Sequence, residues 1–180
     1  MSERARLIDA VIAREGGFVD HPDDRGGATM YGITERTARA HGYVGPMRAL
    51  PRALAHRIYD KTYWTGAGLD AVETLSQRIA AELFDTGVNM GSAVAAGFLQ
   101  RALNALNRQE RDYADVAPTR AVDPATIAAL AAFLARRGRD GEAVLLKALE
   151  ALQAARYIEL AEARPRNESF VMGWLAHRVG

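Results

Sequence analysis

Apolar residues recur at every third or fourth position through much of the chain, which is the spacing of helices that bury one face. Near the amino terminus Ile8, Val11 and Ile12 share such a face, and Ser2 precedes them as a residue type that caps helices. Two glycines directly after Glu15 end the pattern. We therefore predict a first helix from about residue 2 to residue 14, with Glu15 at the end of its apolar face.

Residues 18–33 lack helical spacing and are rich in residues that form turns. These turn-forming residues are Pro22, Asp23, Asp24, Gly26, Gly27 and Gly32, and a short β-prone piece covers residues 29–31. The expected structure is a loop or a small β-hairpin. Thr34 then has the position of a cap for a short helix that runs through Ala40.

Helical spacing returns after this loop and dominates the second half of the chain. The predicted helices cover about residues 51–61, 76–90, 92–106, 123–137 and 142–163, followed by an amphipathic tail over residues 170–179. Gly138 and Gly141 are expected to break the helical pattern between the last two of these helices. Tyr63 and Trp64 are expected in a loop with two following glycines, and residues 107–122 in an exposed polar loop. The pattern predicts a mainly α protein with a small loop-and-hairpin lobe over residues 18–34.

Composition narrows the classes of function. The 180 residues include 23 Lys and Arg against 22 Asp and Glu, a formal net charge of +1, whereas nucleic-acid binding usually needs a basic surplus. No cysteine is present, which excludes disulfides and thiol chemistry, and the four histidines lack the spacing of metal ligands. We therefore expect no nucleic-acid partner, no metal and no cofactor.

No segment reaches the roughly 18 consecutive apolar residues of a membrane helix, and residues 1–17 lack the apolar run of a secretory signal. We expect synthesis in the cytoplasm and no stable membrane insertion. A substrate outside the membrane would then be reached only after release by another factor.

The residues with the clearest chemical potential are Glu15 and the acidic, glycine-rich loop that follows it. Cleavage of a glycosidic bond needs a protonated carboxylic acid near the leaving oxygen and a second group that holds water or stabilises the sugar cation. A carboxyl group beside apolar neighbours keeps its proton more readily than one in water. The alternatives from the residues alone are a turn-rich connector and a calcium loop, although Asp20, Asp23 and Asp24 do not have EF-hand spacing.

Four short motifs occur in one order along this segment: Glu15-Gly16-Gly17-Phe18, His21-Pro22-Asp23-Asp24, Gly26-Gly27-Ala28-Thr29 and Gly32-Ile33-Thr34. Chained in this way, they resemble the N-terminal signature of glycoside hydrolase family 108, the N-acetylmuramidase family of phage-type endolysins and so-called secretion-activator proteins. The resemblance continues through residues 59–64 (Tyr-x-x-x-Tyr-Trp) and residues 84–89 (Phe-Asp-x-Gly-Val-Asn). It implies a lysozyme-like fold and hydrolysis of the β-1,4 bond between N-acetylmuramic acid and N-acetylglucosamine.

The resemblance also implies roles for individual residues. Glu15 is expected to be the catalytic acid, and Asp24 with Thr29 is expected to hold the attacking water. Asp20 and Asp23 compete with Asp24 for that role and are expected to contact substrate.

Aromatic residues near these motifs are candidates for contact with sugar. Tyr31 and Trp64 are expected to stack on sugar faces, because aromatic rings match the apolar faces of pyranoses. The alternative for both is that they are core aromatics.

The second half resembles the helical peptidoglycan-binding region that follows this catalytic part in the family. The match lies in residues 89–91, 98–103 and 126–130, whereas residues 122–126 lack the glycines of the family's turn. We predict a catalytic region over residues 1–90 and a peptidoglycan-binding-like region over residues 91–180. The second region either binds the wall or completes the catalytic lobe.

The expected partner is the glycan strand of bacterial peptidoglycan, cut by a monomeric enzyme in the periplasm or wall after release. A holin is the expected partner for that release. Two alternatives stay open. One is a non-catalytic wall-binding or scaffold protein, and the other is a helical regulatory protein with a protein partner.

Overall fold

The computed structural model describes residues 1–20 and 27–178. Within these residues the chain forms eight α-helices and one two-stranded antiparallel sheet, so the expectation of a mainly α fold with a small hairpin is confirmed. The elements are α1 (Glu3–Glu15), β1 (Thr29–Met30), β2 (Ile33–Thr34), α2 (Glu35–Ala40), α3 (Arg52–Tyr59), α4 (Leu69–Leu75), α5 (Gln77–Met90), α6 (Ser92–Leu106), α7 (Pro124–Ala163) and α8 (Glu168–Arg178). The chain divides into two compact units, Met1–Gly66 and Ala67–Gly180.

Helix α1 forms as its sequence predicts. The Ser2 hydroxyl accepts a hydrogen bond from the Ala5 N–H (3.2 Å), which satisfies one of the donors left open at a helix start. Ile8, Val11 and Ile12 are buried, and α1 packs against α3. This packing fixes where the last residue of α1 lies.

The hairpin is very short and depends on its turn. Thr29 pairs with Thr34 and Met30 with Ile33, so two residues, Tyr31 and Gly32, form the whole turn. Both have positive φ (55° and 73°), which is the backbone that two-residue hairpins need to match the twist of their strands. Thr34 then caps α2 by accepting from the Thr37 N–H (3.2 Å), as expected.

Helix α3 does not end in a loop. It continues through a π-helical turn over Asp60–Trp64, so the expectation that Tyr63 and Trp64 lie in a loop is wrong. The side chain of Arg4 explains part of this continuation, because its Nε donates to Asp60 Oδ1 (2.5 Å) and its guanidinium lies 5.1 Å from the centre of the Trp64 ring. These contacts from α1 stabilise a wide turn that local sequence signals do not indicate.

The second unit is built from long helices, and side chains cap two of them. The Ser76 hydroxyl accepts from the Ile79 N–H (3.1 Å) at the start of α5, and Asp123 accepts from the Thr126 N–H (2.8 Å) at the start of α7, where the Asp-Pro pair predicts a cap. Ser92 has the residue type of a cap for α6 but is the first residue of that helix, and Gly91 takes the cap position. The predicted boundary between residues 90 and 91 falls between α5 and α6, inside this unit.

Two further expectations for this unit are corrected. Helix α7 is interrupted at Gly138 (φ 59°, ψ −151°), but Gly141 is helical and buried, so only the first glycine breaks the pattern. Helix α4 was not expected, and its Leu69 and Val72 are almost completely buried. None of the described helices is both long enough and apolar enough to cross a membrane.

Candidate active site

Glu15 is the last residue of α1, and its side chain is exposed. The apolar residues of the same helix, Val11 and Ile12, are buried one turn earlier. The sequence expectation of an apolar environment for Glu15 is therefore not what the structure shows. The next residue, Gly16, has φ 78°, a conformation that favours glycine and that turns the chain away from the helix.

The closest surroundings of Glu15 are the hairpin turn and a tyrosine from α3. A Cβ atom built on Gly32 would lie 2.7 Å from the Tyr59 hydroxyl oxygen and 3.0 Å from both Cγ and Oε2 of Glu15. The 2.7 Å contact is shorter than Cβ atoms make in folded proteins, and φ at Gly32 is 73°, a conformation that favours glycine. Glycine at this position thus lets the turn, Glu15 and Tyr59 come together.

Tyr59 holds the turn in this position. Its hydroxyl donates a hydrogen bond to the Tyr31 carbonyl oxygen (2.9 Å), and its residue surface is 4% exposed. Burial, and then the negative charge of Glu15 and the neighbouring Tyr63, raise the pKa of Tyr59 far above its ordinary value. The hydroxyl therefore stays protonated and remains a hydrogen-bond donor throughout the physiological pH range.

A small cavity opens beside this group. Its volume is about 120 Å³, and it shares Gly32 and Tyr59 with the surroundings of Glu15. The lining residues are Gly32, Ile33, Thr37, Ile58, Tyr59, Thr62 and Tyr63. The cavity is smaller than the about 300–1,000 Å³ of pockets that enclose whole small molecules. As lined by the described residues, it is therefore too small to enclose a whole sugar unit.

The chain after Glu15 contacts a short turn at residues 47–49 through Phe18 and the hairpin through Val19. The guanidinium carbon of Arg48 lies 4.3 Å from the centre of the Phe18 ring, a cation–π contact that gives the aromatic residue after the two glycines a partner. The Val19 N–H donates to the Thr29 carbonyl (2.9 Å), and the Thr29 N–H donates to the Val19 carbonyl (2.8 Å). These two hydrogen bonds place Thr29 beside Val19.

The structure describes some of the predicted site residues and not others. Thr29 is half-buried, with its hydroxyl 3.5 Å from the Val19 carbonyl, and Asp20 is exposed. Tyr31 is half-buried in the turn. Asp23 and Asp24 lie outside the described residues, so their proposed roles stay predictions.

Trp64 differs from its expected role. Its side chain is 1% exposed and lies among the largest buried residues, under the guanidinium of Arg4. A ring enclosed in this way has no free face on which a sugar could stack. Trp64 is a core residue in this structure, and the correction follows from the π-helical turn that carries it inward.

Two residues of the site were missed as site residues from sequence, namely Gly32 and Tyr59. Both lie in motifs quoted above, Gly-Ile-Thr and Tyr-x-x-x-Tyr-Trp, but neither carries a reacting group that would single it out. Their importance comes from the lack of room for a Cβ atom at Gly32 beside the Tyr59 hydroxyl, which only a folded chain reveals. In the part of the chain that the structure describes, no group of three or more His, Asp or Glu side chains could hold a metal ion.

Two segments of the chain match models of known protein families. Residues 8–91 match the model of the family described as Glycosyl hydrolase 108, and residues 94–179 match that of the family described as Predicted Peptidoglycan domain. The solved structure of Brucella abortus SagA is similar over 96% of this chain and 95% of its own, with 26% sequence identity and a TM-score of 0.58. No protein of curated function matches the chain. Glu15, Thr29, Gly32 and Tyr59 all fall within the first matched segment.

Proposed function

Because residues 8–91 belong to the glycosyl hydrolase 108 family and residues 94–179 to a family of peptidoglycan domains, we propose that the chain is an endolysin-like N-acetylmuramidase. At the coarser level the protein is a glycoside hydrolase, and peptidoglycan is its substrate partner. The finer proposal names the bond, the β-1,4 linkage between N-acetylmuramic acid and N-acetylglucosamine, and the acid, Glu15.

The observation that carries the proposal is the position of Glu15. Its carboxyl group lies at the surface, where a polymer can reach it, and it is also packed against the turn at Gly32 and near the Tyr59 hydroxyl. An acid that must meet a long glycan strand needs access, and an acid that must transfer a proton to one oxygen needs a fixed position. Glu15 meets both requirements.

The proposed reaction requires two groups. Protonated Glu15 gives its proton to the glycosidic oxygen as the bond between that oxygen and the anomeric carbon breaks. Water then adds to the anomeric carbon, and its proton leaves to a base. Asp24 and Thr29 are proposed to orient this water, with Asp20 and Asp23 as the other acids that could contact substrate.

The test is the substitution Glu15→Gln, which keeps size and hydrogen bonding but removes the transferable proton. Release of reducing ends from purified sacculi should fall by about 10²–10⁴-fold, the usual contribution of a general acid, with folding unchanged by circular dichroism. Mass spectrometry of the fragments made by the unaltered protein should find N-acetylmuramic acid at the new reducing ends. An active Glu15→Gln protein, or fragments ending in N-acetylglucosamine, would contradict the proposal.

A non-catalytic wall-binding protein is the second candidate, and the match of residues 94–179 to a peptidoglycan domain favours it. It predicts that the unaltered protein pellets with sacculi and releases no reducing ends. Measurement of both quantities on the same sample separates the two candidates.

We further propose that the protein acts as a monomer in the periplasm or cell wall, with a holin as the partner that lets it through the inner membrane. Expression with and without a holin tests this proposal, since lysis should depend on the holin. Light scattering of the purified protein should give the mass of one chain.

A further inference from the structure

The second unit contains a groove of about 280 Å³ between α6, the loop before α7, and α7. Its floor includes the apolar side chains of Val94, Phe98 and Leu152. Its rim carries three arginines, Arg101, Arg120 and Arg156. A groove with an apolar floor and a cationic rim has the composition of a site for an anionic, partly apolar ligand.

Two of the three cations at the rim have no counter-ion among the residues that the structure describes. Arg156 Nη1 lies 2.8 Å from Glu159 Oε2, so that pair is compensated. Arg101 and Arg120 form no salt bridge with any residue in the described part of the chain. The groove therefore has a surplus of two positive charges in a chain whose formal net charge is only +1.

Arg120 is held in place by a buried glutamine. The Arg120 backbone has φ 59°, a left-handed conformation that is unfavourable for a residue with a side chain. The Arg120 N–H donates to Gln100 Oε1 (3.0 Å), and Gln100 is 1% exposed. The Gln100 amide nitrogen in turn donates to the Thr119 hydroxyl (2.9 Å) and the Ala121 carbonyl (2.9 Å).

The stem of the Arg120 side chain lies against α6. Its Cγ is 3.7 Å from the position that a Cβ on Gly97 would take, so the arginine crosses α6 at a glycine. The side chain as a whole is exposed, so a ligand in the groove can reach its guanidinium. Residues held in unfavourable backbone conformations by surrounding structure are frequent at ligand sites.

We propose that this groove binds the carboxylates of the short peptide stems that branch from the glycan strands of peptidoglycan. Arg101 and Arg120 would each pair with a carboxylate, since the planar guanidinium matches the two carboxylate oxygens. The apolar floor would take the methyl side chains of the alanines in the same stem. The inference rests on the proposed function in that peptidoglycan is the polymer, and it adds which part of the polymer this unit contacts.

The test measures binding, not hydrolysis. The probe is a synthetic alanyl-isoglutamyl tetrapeptide stem with free carboxylates, titrated calorimetrically into the full-length Glu15→Gln protein. Arg101→Gln and Arg120→Gln should each raise Kd about tenfold, which corresponds to the loss of one charge-assisted contact. Arg139→Gln, which removes an exposed arginine outside the groove, is the matched control and should leave Kd unchanged.

A second comparison uses unaltered arginines, so it remains valid if a variant fails to fold. The same peptide with its carboxylates amidated should bind at least tenfold more weakly. Equal binding of the two peptides, equal effects of the groove and control variants, or displacement of the stem by an equal concentration of inorganic phosphate would each overturn the proposal.

Release of reducing ends by the protein with intact Glu15 is measured in parallel. Stem binding without hydrolysis would refute the muramidase and leave the groove assignment standing. Hydrolysis without stem binding would refute only the groove.

Discussion

The two compact units place their functional residues by opposite means. In the first unit the candidate acid is positioned by very short elements and by a missing side chain, because Gly32 lets the turn approach Glu15 and Tyr59. In the second unit the groove is formed by long helices, and Gln100 holds Arg120 through buried hydrogen bonds. One site depends on steric room, and the other depends on satisfied polar groups.

This difference predicts that different kinds of substitution damage the two sites. A site that depends on close approach should lose both activity and stability when a single methyl group is added. A site that depends on a buried network should be damaged by removing polar atoms at constant volume, and stability should suffer directly. Substitutions at four positions test this contrast between steric room and buried hydrogen bonds, from the largest expected effect to the smallest.

The largest effect is expected from Gly32→Ala. The new methyl group would meet the Tyr59 hydroxyl at 2.7 Å in a backbone with φ 73°, so the loss of stability should be about 3–4 kcal/mol, with peptidoglycan hydrolysis reduced at least about 100-fold. Gly42→Ala is the control, because φ is 81° there but nothing lies within 4 Å. It should cost only about 1–2 kcal/mol, the backbone part of the penalty. Urea denaturation and reducing-end assays measure both, and equal losses for the two variants would refute the close-approach argument.

The second prediction concerns the buried glutamines of the second unit. Gln100→Met keeps the volume but removes the groups that form hydrogen bonds with residues 119–121 and Thr126. The free energy of unfolding should therefore fall by about 2–3 kcal/mol. Gln153→Met is the matched control. Gln153 is 0% exposed, but its Oε1 has no hydrogen-bond partner among the described residues, and its Nε2 donates to Asp85 Oδ2 at 3.2 Å.

Gln153→Met should lower the free energy of unfolding by about 1 kcal/mol or less, since only one hydrogen bond is lost and an unsatisfied oxygen disappears with it. Thermal unfolding of the two variants gives the comparison directly. A Gln153→Met protein that is less stable than Gln100→Met would show that the hydrogen bonds of Gln100 are not what stabilises this unit.

A third prediction concerns the pH dependence of stability in the second unit. Burial, and then the charges of Asp85 and Glu150, raise the pKa of Glu82 on α5 from its ordinary 4.5 to about 7, against a small opposing effect of the Thr86 hydroxyl. The folded protein therefore binds a proton that the unfolded chain has released between about pH 4.5 and 7, so stability contributed by this group falls as pH rises through that window. The free energy of unfolding should fall by about 2 kcal/mol across this window, after allowance for the exposed part of the Glu82 side chain.

Glu82→Gln removes this titration. The variant should be more stable than the unaltered protein at pH 8 and should differ little from it at pH 4.5, as measured by urea denaturation at several pH values. The exposed Glu162→Gln is the control and should not change the pH profile. A parallel profile for Glu82→Gln and the unaltered protein would exclude Glu82 as the titrating group.

The smallest effect is expected from Tyr59→Phe. It removes only the hydroxyl that donates to the Tyr31 carbonyl (2.9 Å), so stability should fall by about 1 kcal/mol. The value of kcat should fall by more than the loss of stability explains, because the turn beside Glu15 loses the hydrogen bond that holds it. Tyr63→Phe, in the ring 5.7 Å away, is the control and should affect activity less. Comparison of kcat for the two variants is the measurement.

Much of the fold could be predicted because its signals are local. Ser2, Thr34 and Asp123 each precede a helix as a cap, and each makes the expected hydrogen bond. A cap and its partner lie three residues apart, so the sequence contains the whole interaction. Helix α4 was missed because Gly66 and Gly68 precede it and its stability comes from the burial of Leu69 and Val72.

The candidate site could be predicted only in part. Glu15 was found because a motif contains it, whereas its exposed position was not, and neither were its contacts with Gly32 and Tyr59. Trp64 was assigned to the sugar surface from its residue type, yet it is a core residue. Composition identifies which residues could contact sugar, but burial depends on which distant elements pack over them.

The sequence by itself determined the starts of α1, α2 and α7 and the order of the motifs, because each depends on residues within a few positions of one another. The tertiary structure decided which groups meet: Glu15 with residues 17 and 44 positions away, and Gln100 with a loop about 20 positions later. The physical reason is that hydrogen-bonded caps and turns are complete within one short segment. Close approach and burial exist only after separate segments have packed together.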